Sequence, residues 1–179
     1  MRKLIGLAAA GAALVLAMPA HAADGLRCVG DQLGKDFAMT QADRIATALI
    51  GGADDLPPLP EPTLLKAVDT CATRYTWNAQ ARDLATVLTR VSILQEAIGR
   101  TLRAEKVDLA QVQGIYDGLP ESARRGFIDP DKMKDASVIV AQRLTASGIN
   151  TEGKRAEHIG MYLGALAAIE FFTPMFASA

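Results

Sequence analysis

Reactive side chains are scarce in this chain. Among 179 residues there are two histidines, two cysteines and one tryptophan. His21 falls in an N-terminal segment with the marks of a leader, which leaves His158 as the single imidazole of the remaining chain. Acid–base catalysis needs a partner within reach of the imidazole, and a zinc site needs several ligands; the sequence names neither. The cysteines, Cys28 and Cys71, are not in C-x-x-C spacing, which speaks against a redox pair or a haem-attachment site. There is no glycine-rich phosphate loop and no nucleophile beside an evident base. No window shows the alternation of a strand bounded by turn residues. These absences leave no catalytic, cofactor or metal motif to build on.

The first 22 residues read as a secretory leader. Arg2 and Lys3 form a basic start, Leu4 to Met18 is an uncharged apolar run, and Pro19 breaks it. Ala20-His21-Ala22 places small residues at the −3 and −1 positions of a cleavage site. The expectation is export, to a periplasm or beyond. Cleavage after Ala22 leaves about 157 residues, enough for one domain. Taking Arg2 and Lys3 from the 19 basic residues leaves 17 against 20 acidic ones. So mild an acidity offers no basic face to nucleic acid and no polybasic run to anionic lipid.

In an exported chain the two cysteines read as one disulfide, Cys28–Cys71, with two free buried thiols or a bridge to another chain as alternatives. Lipidation of Cys28 is disfavoured because Arg27 precedes it, Gly25 stands at −3, and the apolar run ends too early.

The mature region, residues 23–179, reads as one all-helical domain: a bundle of about four main helices with shorter ones. Residues 23 to 39 form a lead-in of uncertain structure. Thr40 with Asp43 resembles a capping box opening a short helix from Gln41 to Ile50, ended by Gly51-Gly52. Residues 51–62 form a loop, since four prolines in six positions forbid a helix there. From Thr63 to Trp77, Leu64, Leu65, Val68, Cys71, Ala72 and Tyr75 fall on one side of a helix. The strongest segment is Asn78 to Lys106. Its apolar stripe runs Leu84, Val87, Leu88, Val91, Leu94, Ile98 and Leu102, with arginines and threonines opposite. Asp108 caps a helix from Leu109 to Asp117, Asp129-Pro130 starts one reaching Ser147, and Asn150 or Thr151 starts a last helix that ends before Pro174.

Some residues invite a chemical reading beside a plainer one. Asp129, Asp131 and Asp135 lack the glycine and terminal glutamate of an EF-hand loop, and helix capping explains Asp129. Met39 and His158 have the residue types of a haem pair, but both types are too common to weigh. Arg124-Arg125-Gly126 reads as an exposed turn. Arg82, Arg90, Arg100 and Arg103 read as a solvated helix face, or else as the wall of an anion pocket.

The C-terminal segment is the least ordinary. Ile159 to Ala179 carries one charge, Glu170. Its length suits a membrane span, but Glu170, Thr173 and Pro174 interrupt it and no basic residue follows, so a membrane is disfavoured. A central helix of the bundle is the stronger reading. Ala156, Gly160, Gly164 and Ala168 recur every four residues and suggest a tight helix crossing, within the chain or between copies. Phe171, Phe172, Met175 and Phe176 either fill the core or form an interaction surface for a protein partner or a homodimer.

The leading expectation is an exported envelope protein that acts by binding, with no cofactor. An alternative is a lyase or mutase acting on an acidic small molecule, using Arg100, Arg103, Lys154 and His158. A further alternative is a protein tethered to the membrane by its C-terminal segment.

Overall fold

Two helices of 26 residues carry the fold, α4 (Ala79–Ala104) and α8 (Gly153–Ser178). A computed structural model of the chain describes residues 20–179. The expected leader lies outside the described residues, apart from Ala20 to Ala22, which open the first helix. In chain order the others are α1 (Ala20–Leu33), α2 (Lys35–Ile50), α3 (Glu61–Tyr75), α5 (Leu109–Asp117), α6 (Glu121–Gly126) and α7 (Met133–Ala146). The fold is an all-α bundle closed by one disulfide.

α4 and α8 run antiparallel for roughly 39 Å. Asn78 ties their ends together. Its side-chain oxygen accepts from the Ala81 amide at 2.8 Å, capping α4, and its side-chain nitrogen donates to the carbonyl of Ala179 at 2.7 Å. Of the expected stripe on α4, Leu88, Ile98 and Leu102 are buried, while Leu84, Val87, Val91 and Leu94 are half-buried. The buried line passes instead through Ala81, Ala85, Ile93 and Ala97. Small side chains let neighbouring helices come closest, so the seam follows the alanines.

Two cores form along this spine. The larger joins α2, the C-terminal half of α4, α5, α6, α7 and most of α8, around Ile98, Leu102, Val112, Ile159 and Leu163. The smaller joins α1, α3, the first half of α4 and the end of α8, around Val29, Val68, Leu88 and Phe176. It also contains the Cys28–Cys71 bridge, whose Cα atoms lie 6.0 Å apart.

Several expectations change. The lead-in from 23 to 39 is helical, and α2 begins at Lys35, so Thr40 is internal and caps nothing. The break falls at Gly34, whose φ of 79° lies in the left-handed region that glycine adopts at little cost. α3 begins at Glu61, with Pro62 in its first turn, where a missing amide costs nothing. Leu65, expected inward, is 41% exposed. α7 begins at Met133, because Asp129 spends its carboxylate on the Asp131 amide and Lys132. The expected exposed turn at Arg124-Arg125 is helix α6, and Gly126 is buried so tightly that a Cβ there would lie 2.8 Å from that of Ala136. α8 does not stop before Pro174 but runs on to Ser178. The proline removes one backbone hydrogen bond, and burial of Phe176 holds the next turn in place. The small-residue ridge is not a close crossing: a Cβ on Gly160 would meet nothing within 4 Å, and one on Gly164 only the Phe127 carbonyl at 4.0 Å. A second close approach is at Gly25 on α1, where a Cβ would lie 2.7 Å from the Trp77 ring.

Candidate functional site

Where the two cores meet, the helices do not close. A groove of about 1150 Å³ lies between α1 and the α4–α8 spine, with α5 and α6 at one end. Its walls are mostly apolar. α1 contributes Leu26, Gly30 and Leu33; α4 contributes Leu88 and Ile93; α8 contributes Leu166, Ile169, Pro174 and Ala177. α8 places its residues by helical spacing: Leu166, Glu170, Thr173, Pro174 and Ala177 fall on one face, three or four residues apart. Gly30 matters to the shape. It is exposed, and a Cβ added there would meet nothing within 4 Å, so the space over it is open. The volume is slightly above the range usual for a drug-sized ligand, about 300–1,000 Å³.

One end of the groove is polar and internally paired. The Tyr116 hydroxyl donates to Glu170 Oε2 at 2.6 Å. Arg124 Nε donates to Glu170 Oε1 at 3.1 Å, and its Nη1 donates to the carbonyl of Leu119 at 2.9 Å. Burial, and then the neighbouring Glu170 carboxylate, push the Tyr116 hydroxyl far above the ordinary tyrosine range, so it stays a donor. The guanidinium also lies 5.9 Å from the centre of the Tyr116 ring. Sequence reasoning noticed Glu170 as a lone charge in an apolar run but found no partner for it. A carboxylate in such a setting demands a cation or donors; Arg124 and Tyr116 supply them from 46 and 54 residues away. Spacing along the chain carries no trace of that pairing.

The residues singled out from the sequence lie elsewhere. Phe171 is buried in the large core beneath the Arg125 guanidinium, 4.3 Å from the ring centre. Phe176 is buried in the small core, edge-on to Trp77 at 5.0 Å. Phe172 is half-buried against the small core, and Met175 is 44% exposed. Two of the four side chains expected as an interaction surface are therefore interior. Arg100 pairs with Asp43 and, at 2.8 Å, with Glu96. Arg103 reaches the same Glu96 at 3.4 Å. Lys154 pairs with Asp54 at 2.6 Å; this hydrogen bond holds the Asp54 carboxyl below its usual range and raises the lysine. Three separate carboxylates thus take up these three cations, and none of them lines the groove. Arg82 and Arg90 pair with Asp69 and Glu61.

His158 has a partner that the sequence did not name. It is buried, with Nδ1 2.7 Å from Glu105 Oε1, and Arg155 lies 3.7 Å from the same carboxylate. The cluster joins the end of α4 to the start of α8 and does not line the groove. Met39 is exposed on α2. Among the described residues no three His, Cys, Asp or Glu side chains gather as a metal site. α8 is long and apolar enough to cross a membrane by length and composition, and half of its apolar window is buried within the bundle.

Comparison with known protein families, with curated proteins and with solved structures found no match to this chain.

Proposed function

We propose that this protein acts by binding, and that the groove between its two cores holds an elongated apolar ligand. One observation carries the reading: an open, mostly apolar groove of about 1150 Å³ at the seam of the bundle. Exposed apolar grooves are costly to leave in water, and such clefts between helices are common ligand sites. Along α8 the groove runs from Leu166 to Ser178, roughly 18 Å by helical rise. That is the length of a long alkyl chain.

Its setting is the bacterial envelope, reached through the leader of residues 1–22. The basic start, the apolar run and the Ala20-His21-Ala22 site support this reading, and the Cys28–Cys71 bridge is compatible with an oxidising compartment. Mass spectrometry of material from an envelope fraction tests it: an N-terminus at Ala23 supports export, and an intact Met1 overturns it.

Gly30→Phe tests the groove. Gly30 sits in a helix with open space over it, so the ring fills the groove without straining the backbone. The variant should fold, and it should lose uptake of a fluorescent apolar probe such as N-phenylnaphthylamine. Unchanged uptake overturns the groove as the binding site.

A further inference from the structure

Resting on the groove reading, we infer that the ligand is a single-chain amphiphile whose head group donates hydrogen bonds, an amine or a hydroxyl head and not a carboxylate, seated at the Tyr116–Glu170 end. The inventory of donors and acceptors there carries the inference.

Most of the donors at this end are engaged, and what remains is one N–H on Arg124, one on Gln113 and the Thr173 hydroxyl. Arg124 gives Nε and Nη2 to Glu170 and Nη1 to the carbonyls of Leu119 and Asp117. The Tyr116 hydroxyl proton points at Glu170. Gln113 gives its side-chain nitrogen to Asp117 at 2.8 Å. The acceptors are not spent. A carboxylate offers about four lone-pair sites, and Glu170 uses three on Tyr116 and Arg124, which leaves about one on Oε2. Asp117 keeps one oxygen free. Pro174 has no amide hydrogen for the carbonyl of Glu170, four residues before it, so that backbone oxygen also lacks its helical donor. Glu170 and Pro174 both line the groove.

Charge points the same way. Two carboxylates, Glu170 and Asp117, stand against one guanidinium at this end. The other charged wall residue, Arg27 on α1, lies 4.0 Å from Asp24 and is strongly exposed. An anionic head would meet acceptors and a net negative charge; an ammonium or hydroxyl head would meet the groups it lacks. The apolar wall formed by Leu26, Leu33, Leu88, Ile93 and Ala177 then receives the alkyl chain.

Displacement of N-phenylnaphthylamine tests this with three probes below their micellar concentrations: dodecylamine, monododecanoyl glycerol and laurate. The amine and the glyceride should bind at least about tenfold more tightly than laurate, a difference of about 1.4 kcal/mol. Pro174→Ala restores an amide to the Glu170 carbonyl and should narrow the preference of the amine and the glyceride over laurate. That variant regularises the helix, so it is expected to fold. Laurate binding as tightly as the amine overturns the head-group inference and leaves the groove reading intact. Failure of all three to displace a bound probe overturns the amphiphile alone, and probe uptake that survives Gly30→Phe overturns both. A co-purifying protein segment seated in the groove and lost in Gly30→Phe assigns the site to a partner helix and overturns the amphiphile.

Discussion

The two cores are built on different principles. The larger rests on burial: Ile98, Leu102, Val112, Ile159 and Leu163 come from three helices and are nearly inaccessible. The smaller has fewer buried side chains, and it adds a covalent bond and an aromatic cluster in which Trp77 stacks near Tyr75 and takes the edge of Phe176. A small apolar cluster does not easily offset the entropy of ordering two helices against it, so a staple compensates. The difference teaches where each core is vulnerable. The large core is sensitive to lost volume and the small one to lost sulfur.

The largest expected effect breaks the small core. Replacing both cysteines, Cys28→Ala with Cys71→Ala, opens a loop of 43 residues and should cost on the order of 4 kcal/mol. Trp77 is the single tryptophan and sits in this core, so its emission should shift at lower urea than far-UV ellipticity changes. Coincident transitions would show that the cores unfold as one unit. Next is Leu163→Ala in the large core, which should cost about 3 kcal/mol. Here both probes should move together, because α8 runs through both cores.

At the seam the effects shrink. Glu170→Gln removes the charge partner of Arg124, but both side chains keep some exposure, and solvent screening holds the cost to about 1 kcal/mol. The pH dependence of the same site has a definite sign. The Tyr116 hydroxyl ionises at higher pH in the folded chain than the ordinary value of 10.0. Its contribution to stability is therefore complete below about pH 10 and is lost as pH rises above that value. Urea midpoints falling through this window in the native protein, and falling less in Tyr116→Phe, would confirm it. The smallest effect is a gain. Gly30→Ala should stabilise α1 by about 0.5 kcal/mol, read as a higher midpoint of the Trp77 transition, since alanine is the better helix former and space is open.

Much of the fold was legible along the chain. The spine helix α4 announced itself by Asn78 and a continuous apolar spacing, and the bridge followed from two cysteines in a chain read as exported. The lead-in misled because Gly25, Gly30 and Gly34 look like breakers. Only Gly34 breaks the helix; Gly25 is small because Trp77 lies against it, a demand made by a residue some fifty positions away. Pro174 misled in the same way, since a proline costs a helix one bond and the burial of Phe176 outweighs it. The candidate site was the least legible part. A groove is space left between helices, and no residue spells it. Only Glu170, a charge without a visible partner, hinted that something polar lay near.

The bridge also has a temporal meaning. It bolts α1 to α3, and α1 is one bank of the groove. Before the two sulfurs join, that bank is tied to the rest only through Gly34 and a modest apolar contact. On the proposed reading of the groove, the chain with its sulfurs reduced should bind apolar molecules less tightly than the chain in which the bridge has locked this bank in place.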